Sequence, residues 1–425
     1  MSSVHSNQCP QKIIVLFFIL LLVFSSFHAI DPEKVLPGGL GFLQRNGRAF
    51  VYILLVLILL IFLFNSGNPL RSRRPPLFVS AYLFFLVLYS LKLLMYGFFI
   101  DSLLFFLICV FYYYLFGFLA ISQHQKININ VEDFLFICGA SFFFIAVING
   151  YVLFAESDFF IHSRFYGLTY NPNVLAYTIS ILSFAFLSFY KKVFPIAFLH
   201  APVALVVLSL ACILVLETGS RGGLSLMVFS FFFNAYILVR GRVILVLFSL
   251  FLFLLGILYF FDVGLTEYFD IFSGRQNTRF YVWEDQVDLF LKYPIFGEPW
   301  LGETIRFGEN SYFGSASQLG VAGGVFIFFS LLLFLCSTIR FYIKRPKSSS
   351  SLILLFMSLS IIVSNFFEPW MLGAVSPVIY IFLLSAVSLW KMSWNMPRCA
   401  SSIESPTSEV VKAAPMSSVQ SFPKS

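Results

Sequence analysis

Three short motifs each place an arginine beside turn-forming or helix-starting residues. They are Arg164 in RFYGLTYNPN, Arg221 in ETGSRGG, and Arg279 four residues before Trp283. Arg275 and Arg306 lie with Arg279 in one long polar segment, 262–316. A guanidinium presents a planar fork of donors that matches phosphate, so arginines gathered on one face suit the grip of a phosphate or diphosphate. Gly222 and Gly223 allow a tight turn and a close approach of backbone to a ligand, and the N–H groups that open the next helix favour an anion. Asn171 can initiate a turn and Pro172 suits the first turn of the helix that follows. Each motif taken alone also has a plainer account. Glu217 and Arg221 can close a connection as a local salt bridge, the NPN element can be an ordinary cap, and Arg275 and Arg279 can pair with nearby acids or lipid headgroups.

Acid–base candidates are few. Glu309 in FGENSY could serve as a general base if partial burial raised its pKa. His162, beside the RFYG element, titrates near neutrality and is the second candidate. The plainer accounts are a solvated loop acid and an incidental histidine. Asn310 and Arg306 complete the set as candidate substrate-binding groups. The five histidines show no ligand spacing and none of the six cysteines forms a CxxC pair. No metal site, disulfide framework or cofactor is expected.

The elements that must position these residues are membrane spans. The 425 residues are 59% hydrophobic and 11% charged, whereas a soluble domain carries roughly 25% charged residues. Runs such as Phe50–Phe64 and Val243–Phe261 contain no charged residue and are long enough to cross a hydrocarbon core of about 30 Å. Twelve spans are predicted, over 13–30, 49–65, 77–95, 99–121, 134–155, 173–190, 193–216, 222–239, 243–261, 317–341, 350–366 and 371–390. SSFHA after the first run resembles a signal cleavage site, but the run is long and its flank carries only Lys12, so an uncleaved span is expected. With the amino terminus inside, seventeen of the 27 basic residues fall on the cytoplasmic side. Every tight basic cluster is among them, including Arg71/Arg73/Arg74, Lys191/Lys192 and Arg340–Lys347, as the positive-inside rule requires. The net charge of +7 thus sits in short loops between spans and does not point to nucleic acid.

This topology puts Arg164, Arg221, Arg275, Arg279 and Arg306 together on the outer face, against the usual charge bias. Within the large periplasmic loop 262–316, Phe280, Trp283, Val287, Phe290 and Leu291 recur at helical spacing. They predict a short amphipathic helix over 276–292, lying at the membrane surface with Trp283 at headgroup depth. Residues 1–390 form the membrane domain. Residues 391–425, rich in Ser and Pro, read as a disordered cytoplasmic tail. The fold class expected is all-α, a polytopic transmembrane helical protein.

The order of the motifs is more specific than any one of them. RFxGxxxNPN precedes a span, TGSRGG lies between two spans, and a large external loop follows with an arginine four residues before a tryptophan and PIFG after it. NSY and a Gly-rich span close the series. This order resembles the O-antigen ligase and polymerase superfamily over roughly 160–380; the first five spans match only in hydrophobic character. The resemblance implies an inner-membrane glycosyltransferase that takes its glycan from a polyprenyl-diphosphate carrier. Arg164 then matches the arginine before NPN, Arg221 the SRGG arginine, and Arg279 the arginine before the tryptophan, with Arg275 its rival. Family ligases usually carry His-Asn where this chain has Glu309-Asn310, which favours the polymerase branch. The implied partners are a polyprenyl-diphosphate-linked oligosaccharide and membrane lipid, and a chain-length regulator protein is a third candidate.

Two other classes remain open at this level. One is a ligase that transfers a finished glycan to lipid A core or to protein. The other is a transporter or flippase, which would often carry ionisable groups or broken helices near the midplane. Here the span interiors are nearly free of charge, Lys92 and Asp101 lie near external ends, and His200 is the one mid-span titratable group of note. A purely structural partner in a polysaccharide complex is a further reading.

Overall fold

The computed structural model describes residues 8–27, 38–65, 75–121, 129–155, 159–161, 164–169, 171–194, 200–239, 278–299, 310–346, 348–372 and 376–394. Those residues are almost entirely helical. In chain order the helices are α1 (Gln8–Ser26), α2 (Gly38–Asn65), α3 (Leu77–Met95), α4 (Phe99–Ile121), α5 (Val131–Ala155), α6 (Pro172–Ser183), α7 (Phe186–Val193), α8 (His200–Glu217), α9 (Arg221–Val239), α10 (Thr278–Lys292), α11 (Ser311–Lys344), α12 (Ser349–Phe367) and α13 (Pro377–Trp394). Among the described residues five helices are long and apolar enough to cross a membrane, and six if α6 and α7 count as one bent span. Four shorter apolar stretches lie in α1, α4, α8 and α13. The protein is a helical membrane protein. The predicted span 243–261 and residues 395–425 of the tail lie outside the described residues, while 391–394 continue α13 instead of opening the tail.

Helix α5 is the hub, packing against α1, α6, α7, α8 and α13. Its buried face includes Phe134, Ile137, Cys138, Phe142, Ile145 and Asn149. A second layer pairs α3 with α4 and α11. Phe78 and Phe84 of α3 meet Phe334 and Phe326 of α11, and Ser330 Oγ donates to the Phe78 carbonyl at 2.8 Å. Phe382 of α13 reaches this layer through Phe334 and Tyr82. In lipid there is little hydrophobic drive to pair helices, so interdigitated rings and interhelical hydrogen bonds carry the association. The α6–α9 seam shows the polar part. Ser180 Oγ bonds the Gly223 carbonyl at 2.8 Å, Ser183 and Ser230 share a 2.5 Å contact, and Asn234 Nδ2 reaches the Ser183 carbonyl at 3.0 Å.

Several expected elements change shape. The span expected over 173–190 is broken into α6 and α7, bent by 58° at Phe184–Ala185. Neither Pro nor Gly marks the bend. Ser180 and Ser183 bond back to the carbonyls of Ala176 and Ser180, a competition with the backbone ladder that bends helices, and the Ala185 N–H turns to the nearer Leu182 carbonyl. The span expected from 317 starts six residues earlier, because Asn310 caps α11. The last span begins at Pro377 instead of 371, after a 3₁₀ turn at Trp370–Leu372, and α2 starts at Gly38 instead of 49. The chain is also not wholly α: Phe160–Ile161 pairs antiparallel with Arg164–Phe165, in register Phe160↔Phe165 and Ile161↔Arg164.

Helix α11 is itself interrupted. Gly320 has φ 66°, ψ −156° inside the helical run, a conformation L side chains rarely adopt. Residues 294–298, which follow α10, lie against the break. The Val321 N–H donates to the Pro294 carbonyl at 2.8 Å and the Glu298 N–H to the Ser317 carbonyl at 2.7 Å. A β-carbon on Gly320 would overlap the Ile295 carbonyl.

Candidate functional site

The α6 helix starts as its sequence predicts. Asn171 has extended backbone angles and its side chain accepts the Asn173 N–H at 2.8 Å, with Pro172 in the first turn. Ser220 plays the matching part for α9: its hydroxyl accepts the Gly223 N–H at 3.4 Å, and its own N–H is held by Thr218 Oγ1 at 3.2 Å. Asn310 opens α11 by accepting the N–H groups of Tyr312 and Phe313 at 2.7 and 3.0 Å. Side-chain oxygens at these positions satisfy N–H groups that a helix start leaves without intrahelical partners.

Arg164 ties the first two starts together. Its Nε donates to the Thr218 carbonyl and its Nη2 to Asn173 Oδ1, both at 2.6 Å. A half-buried guanidinium therefore sits at the carboxyl end of α8 while bridging to the amino end of α6. Cations are favoured at helix carboxyl ends. The loop that carries Arg164 is fixed from below by Asn149 of α5, whose Oδ1 accepts the Leu168 N–H at 2.9 Å.

The Gly222–Gly223 pair does what close approach requires. A β-carbon on Gly222 would overlap the Tyr177 hydroxyl, and one on Gly223 would collide with the Ala176 β-carbon. Tyr177 in turn packs edge-on against Trp370, with centroids 6.1 Å apart. The 3₁₀ turn bearing Trp370 is joined to α11 by Ser311, which donates to Asn365 Oδ1 at 2.6 Å and to the Glu368 carbonyl at 3.1 Å, and accepts the Met371 N–H at 3.2 Å. Asn310 Nδ2 reaches the Phe366 carbonyl at 2.8 Å. Trp283 of α10 closes the ring of contacts against Phe313 and Phe367, each at 6.2 Å.

The structure thus brings the RFYG–NPN, TGSRGG, Trp283 and NSY motifs to one end of the bundle through direct contacts. Three helix amino ends, those of α6, α9 and α11, gather there. Arg221 is the first residue of α9 and is exposed. Among the described residues the indole nitrogens of Trp283 and Trp370 have no hydrogen-bond partner. Such a surface, with helix amino ends, an exposed guanidinium and aromatic walls, can hold an anion beside a flat apolar face.

Arg279 falls in the first turn of α10. Arg275, Arg306, His162 and Glu309 lie outside the described residues. The α10 helix spans Thr278–Lys292, close to the range expected, but its packing face is turned. Gln286 is buried and Trp283, Leu289 and Phe290 are half-buried, while Val287 and Leu291 are exposed. Trp283 is held by protein rings rather than projecting only to lipid, since Phe313 and Phe367 offer it a better-packed surface. Asn310, expected as a substrate-binding group, has its oxygen engaged in capping and its nitrogen bonded to the chain.

Lys92 is a residue whose part the sequence reading missed. It is 7% exposed and its Nζ donates to the carbonyls of Phe296 at 3.2 Å, Glu298 at 2.6 Å and Gln318. It fills the break in α11 and fastens the segment after α10 to α3. The available signal was a lone lysine within an apolar run, which in a membrane span calls for a partner.

Fold and site together describe a polytopic helical membrane protein with an arginine-bearing, aromatic polar face at one end of its bundle. No protein-family model matches the chain, and comparison with curated proteins finds no significant match.

Proposed function

We propose that this protein is an O-antigen or related surface-polysaccharide polymerase of the inner membrane. Its twelve spans place both termini in the cytoplasm and the 262–316 loop in the periplasm. It transfers a glycan from a polyprenyl-diphosphate carrier to a sugar hydroxyl of another lipid-linked repeat unit. The observation that carries this reading is the convergence of the arginine motifs: Arg164 bonded to Thr218 and Asn173, with Arg221 three residues beyond Thr218 at the start of α9. The motifs are distant in sequence, and guanidinium groups brought to one end of the bundle suit a diphosphate.

In this reaction the acceptor hydroxyl attacks the anomeric carbon and the bond from that carbon to the diphosphate oxygen breaks. The electron pair leaves with the lipid diphosphate and the hydroxyl proton passes to a base. Direct displacement inverts the anomeric centre. Arg221 and Arg279, with Arg275 as rival to the latter and Arg306 nearby, stabilise the charge that grows on the leaving group. Arg164 is assigned to support them, and its bonds to Thr218 and Asn173 favour doing so by holding the Arg221 turn. Glu309 is assigned as base, with His162 second, and Asn310 fixes the helix start that follows Glu309.

The test is complementation of a polymerase-null strain, read as the lipopolysaccharide ladder on a gel. Wild type should restore the ladder, while Arg221→Ala and Arg221→Lys should not, although both accumulate in the membrane. A point charge lacks the two-pronged donor geometry. A normal ladder with Arg221→Ala would overturn the assignment. Glycan stranded on the carrier in the null strain would mark a ligase instead.

A flippase is the second reading, favoured by the two interrupted helices, α6–α7 and α11, because transporters often place binding sites at such breaks. Movement of labelled lipid-linked substrate in proteoliposomes without glycan product would favour it.

A further inference from the structure

A groove of about 600 Å³ opens at the other end of the bundle, between the start of α1, the start of α5 and the end of α7. Its walls are apolar, with Leu16, Ile19 and Phe136, and its rim carries Lys12, Lys192 and Asp133. Helix α5 fixes the distance from the candidate active face. Phe136 lies near its start, while Asn149, near its end, holds the Arg164 loop. Thirteen residues of helix, about 20 Å at 1.5 Å per residue, separate Phe136 from Asn149, so the groove and the Arg164 loop lie toward opposite ends of α5.

We propose that this groove binds an anionic phospholipid of the bilayer, with its phosphate between Lys12 and Lys192 and one acyl chain along Leu16, Ile19 and Phe136. The charge on the rim favours this occupant. Lys192 Nζ stands 5.7 Å from the centroid of the Phe136 ring, which holds a cation directly over the apolar wall. Asp133 is tied into the start of α5: its Oδ2 accepts Gln11 Nε2 and the Asn130 N–H, each at 3.3 Å, and its own N–H donates to Asn130 Oδ1 at 2.8 Å. Two lysines thus face one carboxylate already engaged in a helix cap. The groove is continuous with an apolar outer face of α1, where Ile13 and Leu16 are 40% and 51% exposed. A charged rim above a lipid-facing apolar wall matches an amphiphile better than a free anion, which would leave that wall bare. The lipid would wedge α1 against α5 and α7, whatever reaction proceeds at the far end.

The experiment uses the full chain purified in zwitterionic detergent. Retention of phosphatidylglycerol, phosphatidylcholine or soluble glycerol phosphate is measured by native mass spectrometry, with a thermal melt beside it. One phosphatidylglycerol should be retained in preference to phosphatidylcholine, and glycerol phosphate should not displace it. Each of Lys12→Gln and Lys192→Gln should weaken retention about fivefold. Both lysines are exposed, so the melt without added lipid should match wild type. Leu16→Trp, which keeps both lysines but fills the wall, should also expel the lipid and serves as the deciding variant if the lysine variants melt early. Equal retention of both lipids, displacement by glycerol phosphate, or undiminished retention in Leu16→Trp would overturn the proposal.

Discussion

Lys92→Met tests how the segment after α10 is held. The ammonium donates to three carbonyls, those of Phe296, Glu298 and Gln318, and Met fills similar volume without a donor. A buried acceptor left without its partner costs about 1–3 kcal/mol. Three of them set an upper range well above 3 kcal/mol. Two terms reduce it: the exposed Phe296 side lets water reach some of these oxygens, and the variant no longer desolvates a charge. A net local loss of about 3 kcal/mol is therefore expected, roughly a hundredfold in the opening equilibrium of the docked segment. Two amides report it directly, Glu298 N–H to Ser317 and Val321 N–H to Pro294. In hydrogen exchange on detergent-solubilised protein both should exchange about a hundredfold faster, while amides of α5 keep wild-type protection. Lys92→Arg should rescue little, because three bonds converge on one nitrogen and a planar fork spreads its donors apart. Unchanged protection of Glu298 and Val321 in Lys92→Met would refute the argument, since the carbonyls would then be satisfied without the lysine.

Further perturbations separate position from chemistry. Arg164→Lys should lose at least one of the two 2.6 Å bonds and cut glycan chain growth strongly, with loosened protection of the Thr218–Ser220 turn as the sign that it acts by positioning. Retained ladder and retained protection would contradict that role. Gly222→Ala should destabilise the α6–α9 seam by about 1–3 kcal/mol, because its β-carbon meets the Tyr177 hydroxyl; a melt equal to wild type would show that Tyr177 yields freely. Asn310→Ala removes two capping bonds and should cost about 1–2 kcal/mol, read as a lowered melting temperature. Asn310→Asp and Asn310→Ser should recover part of it, and failure of both to do so would assign the residue a task beyond capping.

Hydropathy alone determined that this is a membrane protein of many helices, because a run of apolar residues long enough to cross lipid satisfies its own backbone in only one regular way, as a helix. Local chemistry also placed one cap, Asn171-Pro172 at the start of α6, since capping needs only neighbours in sequence. Helix α10 was legible from period, but its orientation was not. Val287 and Leu291 share the apolar spacing and yet stay exposed, while Gln286 is buried, because the face that packs is chosen by Phe313 and Phe367, distant in sequence. The bend between α6 and α7 rests on serine side chains that the apolar count passes over. The break at Gly320 was hidden for another reason: a glycine in an apolar run reads as a tolerated small residue until Pro294, Ile295 and Lys92 are seen to occupy the gap. Motif residues could be named one by one, but only tertiary structure could bond Arg164 to Thr218 and Asn173, since partners nine and fifty-four positions away meet through the packing of α5, α6, α8 and α9, which no local spacing encodes.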